Sequence, residues 1–353
     1  MAAVWHGRCR PARHPLATKV VPMLASLLRN ATLRPYILLA ALIAVLGVVG
    51  GERVLSARTL YSVFQQFSLL GPVALALGLT MMIRHFDLSV VGTVTLAGCI
   101  AVLAGAQSPI LGLTLAALAG LVAGAAQGAL IVRLRLSSIA VTLGGMLTLI
   151  GVAYLLTGNR EVAYANRDIA RVVDSALFGP FSLRFLIAAG VFVLAGAVLG
   201  RTRLGPQLYS VGSDPKAAMV AGVPTGTMVF AVFALSGLIC AIAGALLSFS
   251  LAAASPSALS NILVPAAASA IIGGVSIAGG RGTPAGIAGG VLLLCCLQSG
   301  LTAIGVEPYL QDVATGCVLL LVAVMDSAEL TRRFEDLKRL FAPAQLKPKE
   351  PVA

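Results

Sequence analysis

Charge is scarce in this chain: 11% of its 353 residues are charged, against about 25% in an average soluble domain. With 58% hydrophobic residues and a mean hydropathy of +0.97, the composition excludes a water-soluble globular fold. Histidine is rarer still. His6, His14 and His85 are the only three, which rules out an HExxH metal site and leaves no distributed histidine base. No G-x-x-x-x-G-K-[ST] run occurs and no lysine follows a glycine, so the chain is not expected to bind or hydrolyse ATP itself. The six cysteines (Cys9, Cys99, Cys240, Cys295, Cys296 and Cys317) have no CxxC or metal-like spacing, and five lie in apolar runs, as small buried hydrophobes would. An integral membrane enzyme is left without a nucleophile, base or metal constellation.

What the chain has in abundance is long apolar runs and glycine. Segments able to span a bilayer fall at about 35–50, 62–83, 89–106, 110–132, 139–157, 184–200, 227–250, 262–279, 284–304 and 309–325. Continuous rather than alternating apolarity excludes a barrel, and 38 glycines suit helices that approach closely in lipid. The expected fold is all-α: a polytopic membrane helix bundle of about ten transmembrane helices. Residues 1–34 read as a basic cytoplasmic tail, 35–326 as the transmembrane domain and 327–353 as a second cytoplasmic tail. Gly120, Gly124 and Gly128 form one small-residue stripe, and Gly282, Gly286 and Gly290 another.

The net charge of +12 is explained by placement. With both termini in the cytoplasm, 19 of the 25 basic residues fall on that side, including every lysine. Outside fall Arg53, Arg58, Arg160, Arg167, Arg171 and Arg184. The longest outer connection, 158–182, alternates acidic and basic residues; a solvated loop and a docking surface fit it equally.

The polar interruption from Arg201 to Thr227 lies on the cytoplasmic side. Ser213 or Asp214 can cap a helix there, Pro215 suits its first turn, and Gly222 followed by Pro224 closes it. The result is a helix of roughly two turns, about 10 Å long and too short to cross hydrocarbon.

Ion-coupled transport requires ionisable groups inside spans, and these are nearly missing. Asp87 and Asp312 come nearest, both at span ends. Neutral polar groups occupy the spans instead: Gln65, Gln66, Thr80, Gln127, Thr142, Thr148, Asn261, Ser269, Ser276 and Gln298, with Ser89 beside Asp87. Hydrogen bonding between helices would use them, and so would a path for a neutral, hydroxyl-rich solute.

Four runs carry a resemblance. GLTMMIRHFDLSVVGTVTLAG (78–98), SSIAVTLGGMLTLIGVAYLLTG (137–158), LGPQLYSVGSDPKAAMVAGV (204–223) and AIIGGVSIAGGRGTPAGIAGG (270–290) resemble, in order and spacing, the ribose-type permease subunits of bacterial ABC importers. They cover about residues 60–326. The chain departs from that family's pattern with Arg84 and His85 in place of a glycine pair, and Val91 where glycine is common. Both departures bear on the Asp87 turn, since glycine permits conformations that arginine and valine resist.

The resemblance implies an inner-membrane importer subunit for a monosaccharide or similar small polar solute, with an ion-coupled secondary transporter as the alternative. It implies a second permease chain, identical or related, an extracytoplasmic solute-binding protein, and separate cytoplasmic ATPase subunits that hydrolyse the ATP. Gly212, Ser213, Asp214, Pro215, Lys216, Ala217, Ala218, Ala221 and Gly222 would form the segment that couples to those ATPases. Gln65, Gln66, Thr80, Asp87, Ser89, Thr142, Asn261, Ser269 and Gln298 are the candidate lining of the solute path.

Overall fold

The computed structural model describes residues 32–106, 108–166, 168–257 and 261–326, so nearly all of both expected tails lies outside the described residues. The described residues up to Val306 and the described residues from Glu307 onward form two compact units. In the first, the helices are α1 (Arg34–Gly50), α2 (Ala57–Met82), α3 (Val90–Ala104), α4 (Pro109–Leu134), α5 (Ser138–Thr157), α6 (Asp168–Asp174) and α7 (Leu183–Arg201). Then come α8 (Leu204–Ser213), α9 (Pro215–Val220), α10 (Thr225–Leu251), α11 (Leu263–Ile272) and α12 (Pro284–Ala303). The second unit contributes α13 (Pro308–Asp326).

The fold is an all-α membrane bundle. Among the described residues, seven helices are long and apolar enough to cross a membrane, and three apolar helices are shorter. Serine, threonine and proline set several starts. Ser56 accepts from the Thr59 amide, Ser182 from Phe185 and Thr283 from Gly286, while Pro109 and Pro284 occupy first turns where a missing N–H costs nothing.

The core forms around α2 and α10, whose apolar runs are largely buried. α4 runs antiparallel along α10 at backbone contact. A Cβ on Gly120 would lie 2.3 Å from Ala241 Cβ, and one on Gly124 would lie 2.2 Å from the Phe233 carbonyl oxygen. Gly128 faces Phe230 across the same seam. α3 meets α10 two turns further on, where a Cβ on Gly244 would lie 2.2 Å from the Val94 carbonyl oxygen.

The expected span at 262–279 is a helix of only ten residues followed by irregular backbone from 273 to 283. Ten residues reach about 15 Å, half of a hydrocarbon core. The break follows from glycine: Gly274, Gly279, Gly280 and Gly282 all take positive φ, at 85°, 83°, 71° and 142°. Gly282 therefore precedes α12 instead of joining a helical stripe, and only Gly286 and Gly290 face α11, near Gly273 and Ser269. Helix α3 is likewise short at fifteen residues, after an irregular stretch from 83 to 89. Ile83, Asp87 and Ser89 of the first stretch and Gly273 and Val275 of the second are buried, while Ile277, Ala278 and Arg281 are exposed.

At the end of the unit where α3 and α10 finish, the 158–182 connection expected on the outer side is anchored. Strand β1 (Val162–Ala163) pairs antiparallel with β4 (Ala253–Ala254), while β2 (Ala176–Phe178) pairs with β3 (Phe181–Ser182). Tyr164, 2% exposed, donates to the Gly105 carbonyl at 2.7 Å and packs on Phe249. The described residues of 158–182 are therefore tied to the bundle by strand pairing and by Tyr164.

Two alanine substitutions separate packing from propensity. Gly124→Ala is expected to lower the unfolding free energy by about 1–3 kcal/mol through overpacking. Gly190→Ala in α7, where a Cβ meets nothing within 4 Å, should raise it by about 0.5–1 kcal/mol. Thermal unfolding in detergent reads the opposite signs.

Candidate functional site

Between α7 and α10 the chain folds into two short helices, of which the sequence reading anticipated one. Asp214 sits at the joint in extended conformation (φ −151°) and its carboxylate accepts from the Lys216 amide at 2.9 Å and the Ala217 amide at 3.1 Å. Pro215 occupies the first turn of α9, and Gly222 ends the segment at φ 82°. Those backbone hydrogen bonds hold the Asp214 carboxyl below the usual carboxylate range. Ala218 turns inward at 4% exposure, while Ala217 and Ala221 face out. The larger outward groups are Met219 and Val220, 64% and 91% exposed, which the sequence reading passed over.

The last turn of α8 packs on two other chain segments. A Cβ on Gly212 would lie 1.8 Å from the Met82 carbonyl oxygen, and one on Gly280 would lie 2.5 Å from Ser213 Oγ. The Gly280 amide donates to the Met82 carbonyl at 2.9 Å, and Tyr209 donates to that of Gly282 at 2.8 Å. Arg84 closes the junction. Its Nε donates to the Gly212 carbonyl at 2.6 Å and an Nη to that of Ser213. Its own φ is 64°, a left-handed conformation costing an L-residue about 1–2 kcal/mol. The turn thus has a glycine-like shape without glycine, and Val91 is accommodated inside α3 at 3% exposure.

Three residues on, Asp87 is 3% exposed. One carboxylate oxygen accepts from the Ser89 amide at 3.0 Å and its hydroxyl at 2.5 Å; the other accepts from Ser236 of α10 at 2.8 Å. Thr142 of α5 donates to the Ser138 carbonyl at 2.8 Å and lies 3.3 Å from that of Phe86. The turn between α2 and α3 is thereby tied to α8, α10 and α5.

A second polar group lies about 25 Å away along α2, by the rise of a helix. Arg184, at the start of α7, pairs with Asp174 at 3.2 Å. The same guanidinium donates to Gln65 Oε1 at 2.6 and 3.1 Å, Ser182 donates to that oxygen at 3.2 Å, and Ser250 donates to Asp174 at 2.6 Å. Gln65 also donates to the hydroxyl of Tyr61. Sequence reading counted Arg184 as one outer charge among six and did not single out Asp174. The available signal was an arginine inside the first turn of an apolar span, which demands a partner.

Gln65, Gln66, Arg184 and Gln298 line a cavity of about 350 Å³. A recess of about 460 Å³ takes in Gln66, Ser299, Arg53, Arg58, Thr59 and Ser62. The Oε1 of Gln66 and Oγ of Ser299 are buried with no hydrogen-bond partner among the described residues.

The candidate lining residues consequently do not form one file. Gln65, Gln66 and Gln298 gather at this end, and Asp87, Ser89 and Thr142 at the other. Thr80 is fully buried and donates to the Leu77 carbonyl within its own helix. Ser269 is fully buried in α11, and Asn261 is exposed in the turn before it.

Over residues 59–323 the sequence matches the family described as "Branched-chain amino acid transport system / permease component". The chain belongs to this permease family. Among curated relatives, the permease is similar to the fructose import permease protein FrcC of Rhizobium meliloti, with 30% identity covering 83% of this chain and 84% of the relative. It is similar to the ribose import permease protein RbsC of Escherichia coli K12, with 30% identity over 82% and 92%. It is also similar to the E. coli xylose transport system permease protein XylH, with 28% identity over 86% and 94%. No solved structure matches it. The family description mentions amino acids whereas these relatives are sugar permeases, so the family match supports a permease of either cargo.

The buried pair supplies a test of the permease's architecture. Arg184→Met is expected to lower the unfolding free energy by about 2 kcal/mol, below the 3–5 of a fully enclosed pair because Asp174 keeps some solvent. Adding Asp174→Asn should restore part of the loss, and a thermal-unfolding cycle measures both.

Asp214 gives a pH test. Its folded pKa lies below the ordinary value of 3.8, so the cap is complete above that value and is lost as pH falls through the depressed one. Amide-exchange protection at Lys216 and Ala217 should drop only below about pH 4. Asp214→Asn, which caps comparably without titrating, should abolish the drop.

Proposed function

We propose that this permease is the membrane subunit of an ABC importer for a monosaccharide, driven by separate ATPase subunits docked on α9. One observation carries the docking assignment: α9 is a rigidly capped short helix outside the long spans that presents Met219 and Val220 to solvent. A soluble helix turns such residues inward, whereas a helix that seats in a partner's groove turns them out. The curated relatives, which import fructose, ribose and xylose, support a sugar as cargo.

In this reading α9 faces the cytoplasm, which the distribution of basic residues supports, and the β-paired end faces outward. Both termini then lie in the cytoplasm of a bacterial inner membrane. The 350 Å³ cavity belongs to the outer half, within the range of about 300–1,000 Å³ found for small-ligand pockets. Gln65, Gln66 and Gln298 offer neutral donors and acceptors suited to hydroxyls, and the unpartnered Gln66 Oε1 is free to accept from a passing solute. ATP stays with the ATPases, a second permease chain completes the pathway, and an outer binding protein delivers the sugar. Closure of the ATPase pair moves α9, and the spans that end beside it open the path alternately.

The docking assignment is tested with Met219→Glu combined with Val220→Glu, expressed with the ATPase and purified. Loss of the ATPase from the complex is expected, with the variant still folded and monodisperse. Retention of the complex with sugar-stimulated ATP hydrolysis intact would show that α9 is not the docking element.

A further inference from the structure

We infer that Arg84 is a strut that carries the displacement of α8 and α9 into the Asp87 turn, a positioning residue of the transport cycle. The inference rests on the docking of an ATPase at α9.

Its first support is where the guanidinium goes. It reaches the carbonyls of Gly212 and Ser213, the last two residues of α8, at 2.6 Å for the first. Those oxygens have no onward partner in their own helix and carry the negative end of its dipole, so a cation there holds the helix end as one body. Ser213 is followed directly by Asp214, the cap of α9. A push on α9 therefore arrives at the carbonyls that Arg84 grips.

The second support is the backbone of Arg84 itself. At φ 64° it occupies a conformation that an L-residue holds only when surroundings over-determine it. The turn closes with local bonds, Arg84 N to the Met81 carbonyl at 3.0 Å and His85 N to Thr80 at 3.0 Å, which any residue could make. What is particular to arginine is the side chain's reach to α8. Gly279 leaves room for it: a Cβ there would lie 2.4 Å from Arg84 Cγ.

The third support is what lies beyond. Arg84 is rigidly joined to Asp87 through a short turn, and Asp87 is held by Ser89 at the start of α3 and Ser236 in α10. Movement entering at the guanidinium thus reaches α3 and α10 together.

The test uses the complete complex with its ATPases, in a background whose native cysteines are replaced by serine. Single reporter cysteines are placed at Ser210, exposed on α8, and at Leu88, half-buried in the turn. Maleimide labelling rates are compared without nucleotide and with ATP plus vanadate. With Arg84 present, nucleotide should change the rate at both positions. In Arg84→Gly the change at Ser210 should persist, while the change at Leu88 should shrink at least about fivefold. Arg84→Lys, a point charge able to hold one carbonyl, should fall between. Glycine relieves the strained φ while the two carbonyl hydrogen bonds are lost, so the opposing effects should leave the unfolding temperature of Arg84→Gly little changed.

An undiminished change at Leu88 in Arg84→Gly overturns the strut. A lowered unfolding temperature with both reporters failing overturns it too, since Arg84 would then serve folding. If nucleotide moves neither reporter with Arg84 in place, ATPase coupling through α9 itself fails, and that outcome is separable from the other two.

Discussion

A backbone amide inside hydrocarbon has no water to turn to, and this constraint organises the molecule. Two of its apolar segments, α3 and α11, do not span by helix alone. Each is completed by irregular backbone, and both irregular stretches meet α8, where their polar groups find partners. The Gly280 amide finds the Met82 carbonyl, and the α8 carbonyls find Arg84. Glycines 212, 279 and 280 let the three strands of chain come within backbone contact. The need to satisfy interrupted helices thus builds the junction that joins the short helices α8 and α9 to the spans.

The remainder of the bundle is held at two ends. α10 is locked against α3 and α4 by carbonyl-to-glycine contacts that leave no room even for a methyl group. At the far end, the Arg184, Asp174 and Gln65 network fastens α2, α6 and α7 around the cavity edge. Between the two anchored ends lies the central stretch of α2, broken in its hydrogen bonding by Pro72, which leaves the Ser68 carbonyl without its usual partner.

Much of the fold was legible in the sequence. Apolar run length placed the helices, because crossing lipid demands about 20 uninterrupted residues. Asp214, Pro215 and Gly222 announced α9, since capping chemistry is local. The Gly120, Gly124 and Gly128 positions marked a close approach, though not its partner. What escaped was of two kinds. The 262–279 run looked continuous because hydropathy is blind to φ, and the glycines that break the helix are themselves apolar. The Arg184 and Asp174 pair joins residues of different elements that only folding brings together. Met219 and Val220 were missed because a six-residue helix has too little periodicity to say which way it faces.

The shortness of α11 also bears on biogenesis. Ten apolar residues offer half of what a translocon recognises as a span, so α11 has no independent route into the bilayer. It packs antiparallel to α12 as one hairpin, the carbonyls of Ser269 and Gly273 lying against Gly290 and Gly286. A mutation that weakens the hairpin would then appear first as degradation of the nascent chain, before any assembled transporter existed to be slow.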